Sequence, residues 1–210
     1  MKQGQTKRRV PRGLTRREEL ACVAERTFLE LGFSETTMQI IASRAGGSKE
    51  TLYRHFASKE ALFAEIISRR AAQISGPDSA LARGGLPQQV LLELGMTLLK
   101  LMMHDEARLL FRVIVAEAQR APELATIFYE KGPGLTLKTL TAYLRMATSR
   151  EQLRCPQPVE AARLFLGAVV SHHHLISLIG ARPRLSEAAM RAHAQAAVAM
   201  FLARYGPGGE

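Results

Sequence analysis

Between Thr36 and Lys59 the chain reads TTMQIIASRAGGSKETLYRHFASK, and this stretch limits the possible fold more than any other. Thr36, Ser48 and Ser58 are hydroxyl residues placed just ahead of helical spacing, and Gly46-Gly47 stops the first run. Thr36 with Gln39 has capping-box spacing, and Met38, Ile41, Ala42 and Ala45 give the helix after it one apolar face. In the helix opened by Ser48, Leu52 and Phe56 turn inward while Lys49, Glu50, Tyr53 and Arg54 fall on the opposite face. Helices of two or three turns bury too little surface to stand alone. The sequence supplies a longer helix on each side. Thr15 and Glu18 form a capping box ahead of Leu20, Val23, Ala24, Thr27, Phe28 and Leu31, and Gly32 ends that run. Ser58 caps a helix carrying Leu62, Phe63, Ile66 and Ile67 that continues to about Ile74. Two short helices across a glycine turn form a helix-turn-helix, whose second helix enters the major groove of DNA.

Charge points the same way. The formal net charge of +10 favours a polyanionic partner. Residues 1–70 hold 14 Lys/Arg against 8 Asp/Glu, and the other 140 hold 15 against 11, so positive charge is densest at the N-terminal end. Residues 1–14, with Lys2, Lys7, Arg8, Arg9 and Arg12, have nothing that packs as a core and are expected to form a flexible basic arm. RNA and an acidic membrane surface are the rival partners, but no RNP-like strand or long basic amphipathic helix accompanies the charge. Only Cys22 and Cys155 occur, which argues against a disulfide framework and fits a reducing cytoplasm. The most apolar late run, Leu164 to Ile179, is interrupted by His172, His173 and His174, so no membrane span is expected.

The segment from Gly32 to Leu62 resembles the N-terminal domain of the TetR/AcrR transcriptional regulators, most specifically in S48-K-E-T-L-Y-R-H-F56 and S58-K-E-A-L62. The match is strong over roughly residues 14–65. The resemblance implies phosphate contacts from Thr37, Ser48, Tyr53, His55 and Lys59, and base-edge contacts from Lys49, Glu50 and Arg54. Hydroxyls, helix N-terminal amides and a lysine suit phosphate oxygens; Arg54 can take a guanine bidentately, and Glu50 can accept from a cytosine amine. Where the family usually places a small apolar residue after the turn glycine, this chain has Gly47, which predicts a looser turn.

The rest of the chain, taken as 75–210, reads as a second, all-helical domain. Ser75-Gly-Pro-Asp and Arg83-Gly-Gly-Leu-Pro87 mark a connection near 75–87. Helices are expected over 87–103, 105–120, from Pro122 through Tyr129, and over 135–151, 158–179 and 186–205. Leu109, Leu110, Phe111, Val113, Ile114 and Val115 predict that the second of these is central and buried. The resemblance implies a ligand pocket among the middle helices and a dimer built on the last ones. Met96, Leu99, Met103, Phe111, Phe128 and Tyr129 are the candidate pocket lining for a largely apolar small molecule. Leu137, Leu140, Leu144, Phe165, Val169, His172 and Leu175 are the candidate seam of a homodimer, with plain intrachain core as the alternative. Three consecutive histidines fan around a helix rather than share a face, so no metal site is expected, and no cofactor motif or nucleophile-base pairing emerges. The expectation is a cytoplasmic, dimeric, ligand-responsive repressor of a palindromic operator and not an enzyme. Its rivals are a sequence-indifferent DNA-coating protein and a metal-dependent hydrolase using His172 to His174.

Overall fold

The computed structural model describes residues 15–179 and 185–208, among which eleven helices and no strand are found. The basic arm over 1–14 and the Gly180-Ala181-Arg182-Pro183 connection lie outside the described residues. The helices are α1 (Arg16–Leu31), α2 (Met38–Arg44), α3 (Lys49–His55), α4 (Lys59–Ser75), α5 (Ala80–Arg83) and α6 (Pro87–Met103). They continue with α7 (Asp105–Glu117), α8 (Pro122–Lys131), α9 (Pro133–Ser149), α10 (Pro158–Leu178) and α11 (Glu187–Tyr205).

Local chemistry sets the helix starts. Thr15 and Glu18 make the expected capping box, and the Thr15 amide and hydroxyl together hold the Glu18 carboxyl below its usual range. Ser48, Ser58 and Ser186 cap α3, α4 and α11 through the amides of Thr51, Ala61 and Ala189. The α2 start departs from expectation by one residue. Thr37, not Thr36, is the cap, accepting from the Ile40 amide. Thr36 is fully buried and its hydroxyl donates to the Gly32 carbonyl at 2.6 Å, because Phe33 beside it is drawn into the core and turns Thr36 inward. The 75–87 connection contains a helical turn of its own, α5, whose Ala80 and Leu81 are buried.

Two apolar clusters organise the chain. The first joins α1 to α4 around Phe28, Phe33 and Phe63, whose ring centroids lie 5.1–6.2 Å apart, and it also takes Leu110 and Ile114 from α7 and Leu124 from α8. The second joins the end of α4 with α5, α6, α9, α10 and α11. Contrary to the sequence expectation, α7 is not a central buried helix. Only Leu110 and Ile114 are buried on it, while Leu109 and Val115 are exposed, since α7 lies along the outside of the first cluster with one face.

The expected dimer seam is also corrected. Leu140, Leu144, Phe165 and Val169 are fully buried in the second cluster and Leu137 packs against it, so they hold this chain's own helices together. Of that set, His172 and Leu175 remain exposed on α10. Exposed with them are Leu164 on α10, Ile179 just after its end and Met200 on α11.

Candidate nucleic-acid interface

The turn between α2 and α3 is closed by two hydrogen bonds that bring the chain out of α2. Gly46 has φ +65°, a left-handed conformation that glycine adopts without steric cost; its N–H donates to the Ser43 carbonyl at 3.2 Å, and the Gly47 N–H to Ala42 at 3.0 Å. The turn is therefore not loose. The space left by the missing methyl at Gly47 is taken by Arg16 of α1, whose Nη2 would lie 3.0 Å from a Cβ at that position and donates to the Ala45 carbonyl at 3.1 Å.

Helix α3 is held from below by Leu52 and Phe56, both buried, so its opposite face is presented outward. Lys49, Glu50, Tyr53 and Arg54 are all exposed there, and the Lys49 ammonium lies 5.7 Å from the Tyr53 ring. Between α3 and the starts of α2 and α4 runs an open cleft of about 340 Å³, lined by Thr37, Gln39, Lys49, Tyr53, Ser58 and Lys59 among others. Two helix N-termini beside a hydroxyl-rich, lysine-bearing hollow suit a phosphate. Thr37, Tyr53 and Lys59 thus come together, and Ser48 caps α3 on its other side.

Lys59 is not free in the way a simple phosphate contact needs. The Lys59 ammonium donates to the Phe33 carbonyl at 2.8 Å and sits 4.2 Å from the centre of the Phe33 ring. It ties the start of α4 to the loop before α2. His55, half-buried, gives its backbone carbonyl to Arg17 Nη1 at 2.7 Å. Arg17 also pairs with Glu65 at 2.7 Å and stacks over Phe56 with its guanidinium carbon 4.3 Å from the ring centre. Arg16 and Arg17 are absent from the sequence-derived site. Their only local signal is a position in the first turn of α1; the partners lie 29 and 38 residues further along.

The candidate ligand residues do not share one lining. Met96 and Leu99 are packed into the second cluster, Met103 rests against it, and Tyr129 is 56% exposed on α8. Phe111 and Phe128 do meet, at 5.5 Å between centroids, and Phe111 touches the His174 ring at 4.3 Å. The three histidines diverge as the helical period requires: His172 outward, His174 toward Phe111, and His173 inward beside His193 at 4.8 Å. Among the described residues no group of three or more His, Cys, Asp or Glu is placed to hold a metal ion. Burial pushes the His173 and His174 pKa values down, and His193 and His172 add to the effect at His173.

An exposed reading helix set on a small helical core, followed by a larger helical domain, defines a two-domain helix-turn-helix DNA-binding protein. Residues 22–66 match the family described as bacterial regulatory proteins, tetR family, and residues 89–207 match the AefR-like transcriptional repressor C-terminal domain. The chain belongs to the TetR family of transcriptional regulators, a family that is not enzymatic. It is similar over more than nine-tenths of its length to solved structures. A TetR-family regulator from Mesorhizobium loti MAFF303099 is 30% identical with a TM-score of 0.78, covering 94% of this chain and 100% of that one. The flavonoid-responsive regulator FrrA is 33% identical with a TM-score of 0.73, covering 92% and 98%. Among curated relatives, the activator FasR of Mycolicibacterium smegmatis is 39% identical over 74 residues, 35% of this chain and 33% of FasR. The repressor KstR2 of Rhodococcus jostii is 36% identical over 78 residues, 37% of this chain and 38% of KstR2. The match therefore spans about a third of FasR and 38% of KstR2. No described helix is long and apolar enough to cross a membrane.

Proposed function

We propose that the protein is a homodimeric, ligand-responsive repressor that reads a near-palindromic operator with α3 and is released by a small, largely apolar molecule. The observation that carries this is α3 itself: Lys49, Glu50 and Arg54 stand exposed on the face opposite two buried anchors, beside a cleft shaped for a phosphate. Arg54 and Lys49 supply donors for guanine and Glu50 an acceptor for cytosine. Thr37, Ser48 and Tyr53 set the register on the backbone. Repression is favoured over activation by the repressor description of the matched C-terminal domain, although the curated relatives include one of each kind. The place of work is the cytoplasm, where both cysteines stay reduced.

Dimerisation rests on the outward faces of α10 and α11. Leu164, Leu175 and Met200 are 56%, 59% and 61% exposed there, with His172 among them. Apolar side chains of that size gathered on two long helices call for a partner, and a twofold copy of the same face covers both. One short helix reads few bases; two of them about 34–36 Å apart read successive major grooves.

The effector acts through α7. Its two ends are tied to the DNA-binding helices: Glu106 pairs at 3.2 Å with Arg70 of α4, which also pairs with Glu25 of α1, and Glu117 accepts from Ser34 in the loop before α2. Its middle presents Phe111 to Phe128 of α8 and His174 of α10. A ligand that packs among these rings shifts α7, and α7 carries the loop before α2 with it. FrrA responds to flavonoids, which makes planar aromatic compounds the first class to assay.

The test is selection of bound sites from random duplex DNA. An inverted repeat with half-sites about one helical turn apart is the expected result. Binding without any enriched sequence would instead identify a sequence-indifferent coating protein.

A further inference from the structure

Two consecutive arginines at the start of α1 hold the turn that leads into the reading helix and the last residue of that helix. Arg16 Nη2 donates to the Ala45 carbonyl at 3.1 Å, at the C-cap of α2 and three residues before the Ser48 cap of α3. Its other terminal nitrogen, Nη1, is held by Glu19 at 3.1 Å, so the guanidinium fork is fixed in direction. Arg17 Nη1 donates at 2.7 Å to the carbonyl of His55, the last residue of α3, while Nη2 is anchored by Glu65 of α4 and the plane lies over Phe56. Each arginine thus takes a carbonyl that its own helix leaves without an amide partner at its end. Helix α3 is only 7 residues long, and its buried apolar anchors are Leu52 and the C-cap residue Phe56, so its first turn, at Ser48 to Glu50, has no buried anchor of its own.

We infer that Arg16 and Arg17 are positioning residues for sequence recognition: they set the tilt of α3 against α1, and thereby the register of Lys49, Glu50 and Arg54 on the bases, without reading a base themselves. Gly47 is part of the same device. A Cβ there would stand 3.0 Å from Arg16 Nη2, so a side chain at 47 obliges the Arg16 fork to shift by a few tenths of an ångström. The glycine that sets this turn apart from its family's usual pattern leaves the Arg16 fork in its present position. The inference rests on the proposed reading of α3 as the recognition helix, and it adds a determinant of specificity that lies in a different helix.

The experiment measures affinity of the full-length protein for the duplex enriched by wild-type selection and for random duplex of equal length, at several salt concentrations. It compares wild type with Gly47→Ala, Arg16→Gln, Arg17→Gln and the double variant Gly47→Ala/Arg16→Gln. Gly47→Ala leaves every charge in place and only displaces the Arg16 fork. The expected outcome is a drop of about tenfold in the ratio of selected to random affinity for each single variant, comparable to one mismatched base pair. Random-duplex affinity and the salt slope of Gly47→Ala should stay as in wild type, since no phosphate contact is lost. The double variant should be no worse than either parent, because both changes remove the same contact. Parallel loss on both duplexes with a shallower slope would mean that the arginines are phosphate ligands and would overturn the inference. An unchanged ratio in Gly47→Ala would overturn it equally, and that variant keeps both arginines should an arginine variant fold poorly. Failure of the wild type to enrich any site would refute the recognition-helix reading itself, a separate outcome visible before any variant is made.

Discussion

Lys59 offers a sharp test of how charge is used in the DNA-binding domain. The family resemblance assigns it to a phosphate, but its ammonium is already committed to the Phe33 carbonyl at 2.8 Å and to the face of the Phe33 ring. Replacing Lys59 with alanine removes a hydrogen bond from a charged donor, about 1.5–3 kcal/mol, and a partly shielded cation–π contact, about 0.5–1 kcal/mol. The two share one ammonium and do not add fully, so a loss of about 2–3 kcal/mol of folding stability is expected. For a chain of this size that corresponds to a fall of roughly 4–12 °C in Tm. A residue whose sole role is at the DNA surface would shift stability by less than about 0.5 kcal/mol. The assay is thermal and urea unfolding without DNA at one fixed protomer concentration, because dimer stability depends on concentration. Lys59→Met, which keeps the aliphatic stem, should lose nearly as much as Lys59→Ala. The salt slope of DNA binding should be unchanged in both. If the melting point does not move and the slope becomes shallower by about two, one phosphate per subunit of a dimer, the ammonium serves DNA and the structural assignment is refuted.

Arg54→Ala should relax preference at one position of each half-site by about 1–3 kcal/mol while leaving random-DNA affinity nearly intact, measured by competition with base-substituted duplexes. Equal loss at all sequences would remove its base-reading role. Leu164→Glu places a carboxylate twice into a twofold seam on α10 and should convert the dimer to monomer in sedimentation velocity; an unchanged dimer would put the seam elsewhere. His173 is buried with no hydrogen-bond partner for either ring nitrogen, and its folded pKa lies below the ordinary 6.5. Protons therefore favour the unfolded chain: stability is full above pH 6.5 and declines as pH falls below it, by up to about 1.4 kcal/mol per pH unit, until the folded pKa is reached. His173→Leu should flatten that decline in urea titrations run at several pH values, and an identical pH profile would show that His173 does not titrate differently on folding.

What the sequence makes legible here is mostly what is local. Thr15, Ser48 and Ser58 each act on the amide three residues along, so the helix starts can be read from spacing. The helix-turn-helix follows because its turn glycine and its inward residues lie within one short run. The cap of α2 falls on Thr37 and not Thr36, although two adjacent threonines have nearly the same local chemistry; the choice is made by Phe33, which enters a core assembled with Phe28 and Phe63. Arg16 and Arg17 could not be found in this way, since nothing near them announces partners in α2 and α3. The apolar faces failed for a related reason. Helical spacing tells that Leu140 and Phe165 are buried, but not whether a second copy or the same chain covers them. On α7 the run from Leu109 to Val115 is apolar nearly all round, and composition alone cannot show that one side of it is left outside.

The division into two apolar clusters bears on how a small molecule could reach a reading helix it does not touch. Packed cores move as units rather than deform continuously, so a signal has to pass through elements that belong to both clusters or are bound to both. Helix α4 is one: Leu62, Phe63, Ile66 and Ile67 sit in the first cluster and Ile74 in the second, on a single 17-residue helix whose start is beside the phosphate cleft. Helix α7 is the other, with Leu110 and Ile114 in the first cluster and Phe111 turned to the rings of α8 and α10. On the effector site proposed above, a rearrangement around Phe111 would act on the DNA-binding helices from two directions, through the loop at Ser34 and along the axis of α4. Only about 1–3 kcal/mol of coupling is needed to change affinity five- to 150-fold. In a dimer a small tilt of α4 changes the separation of two α3 helices at once, and duplex DNA fixes the separation that binds. On the proposed mechanism, release would follow from a change in spacing, with the reading face of each α3 left intact.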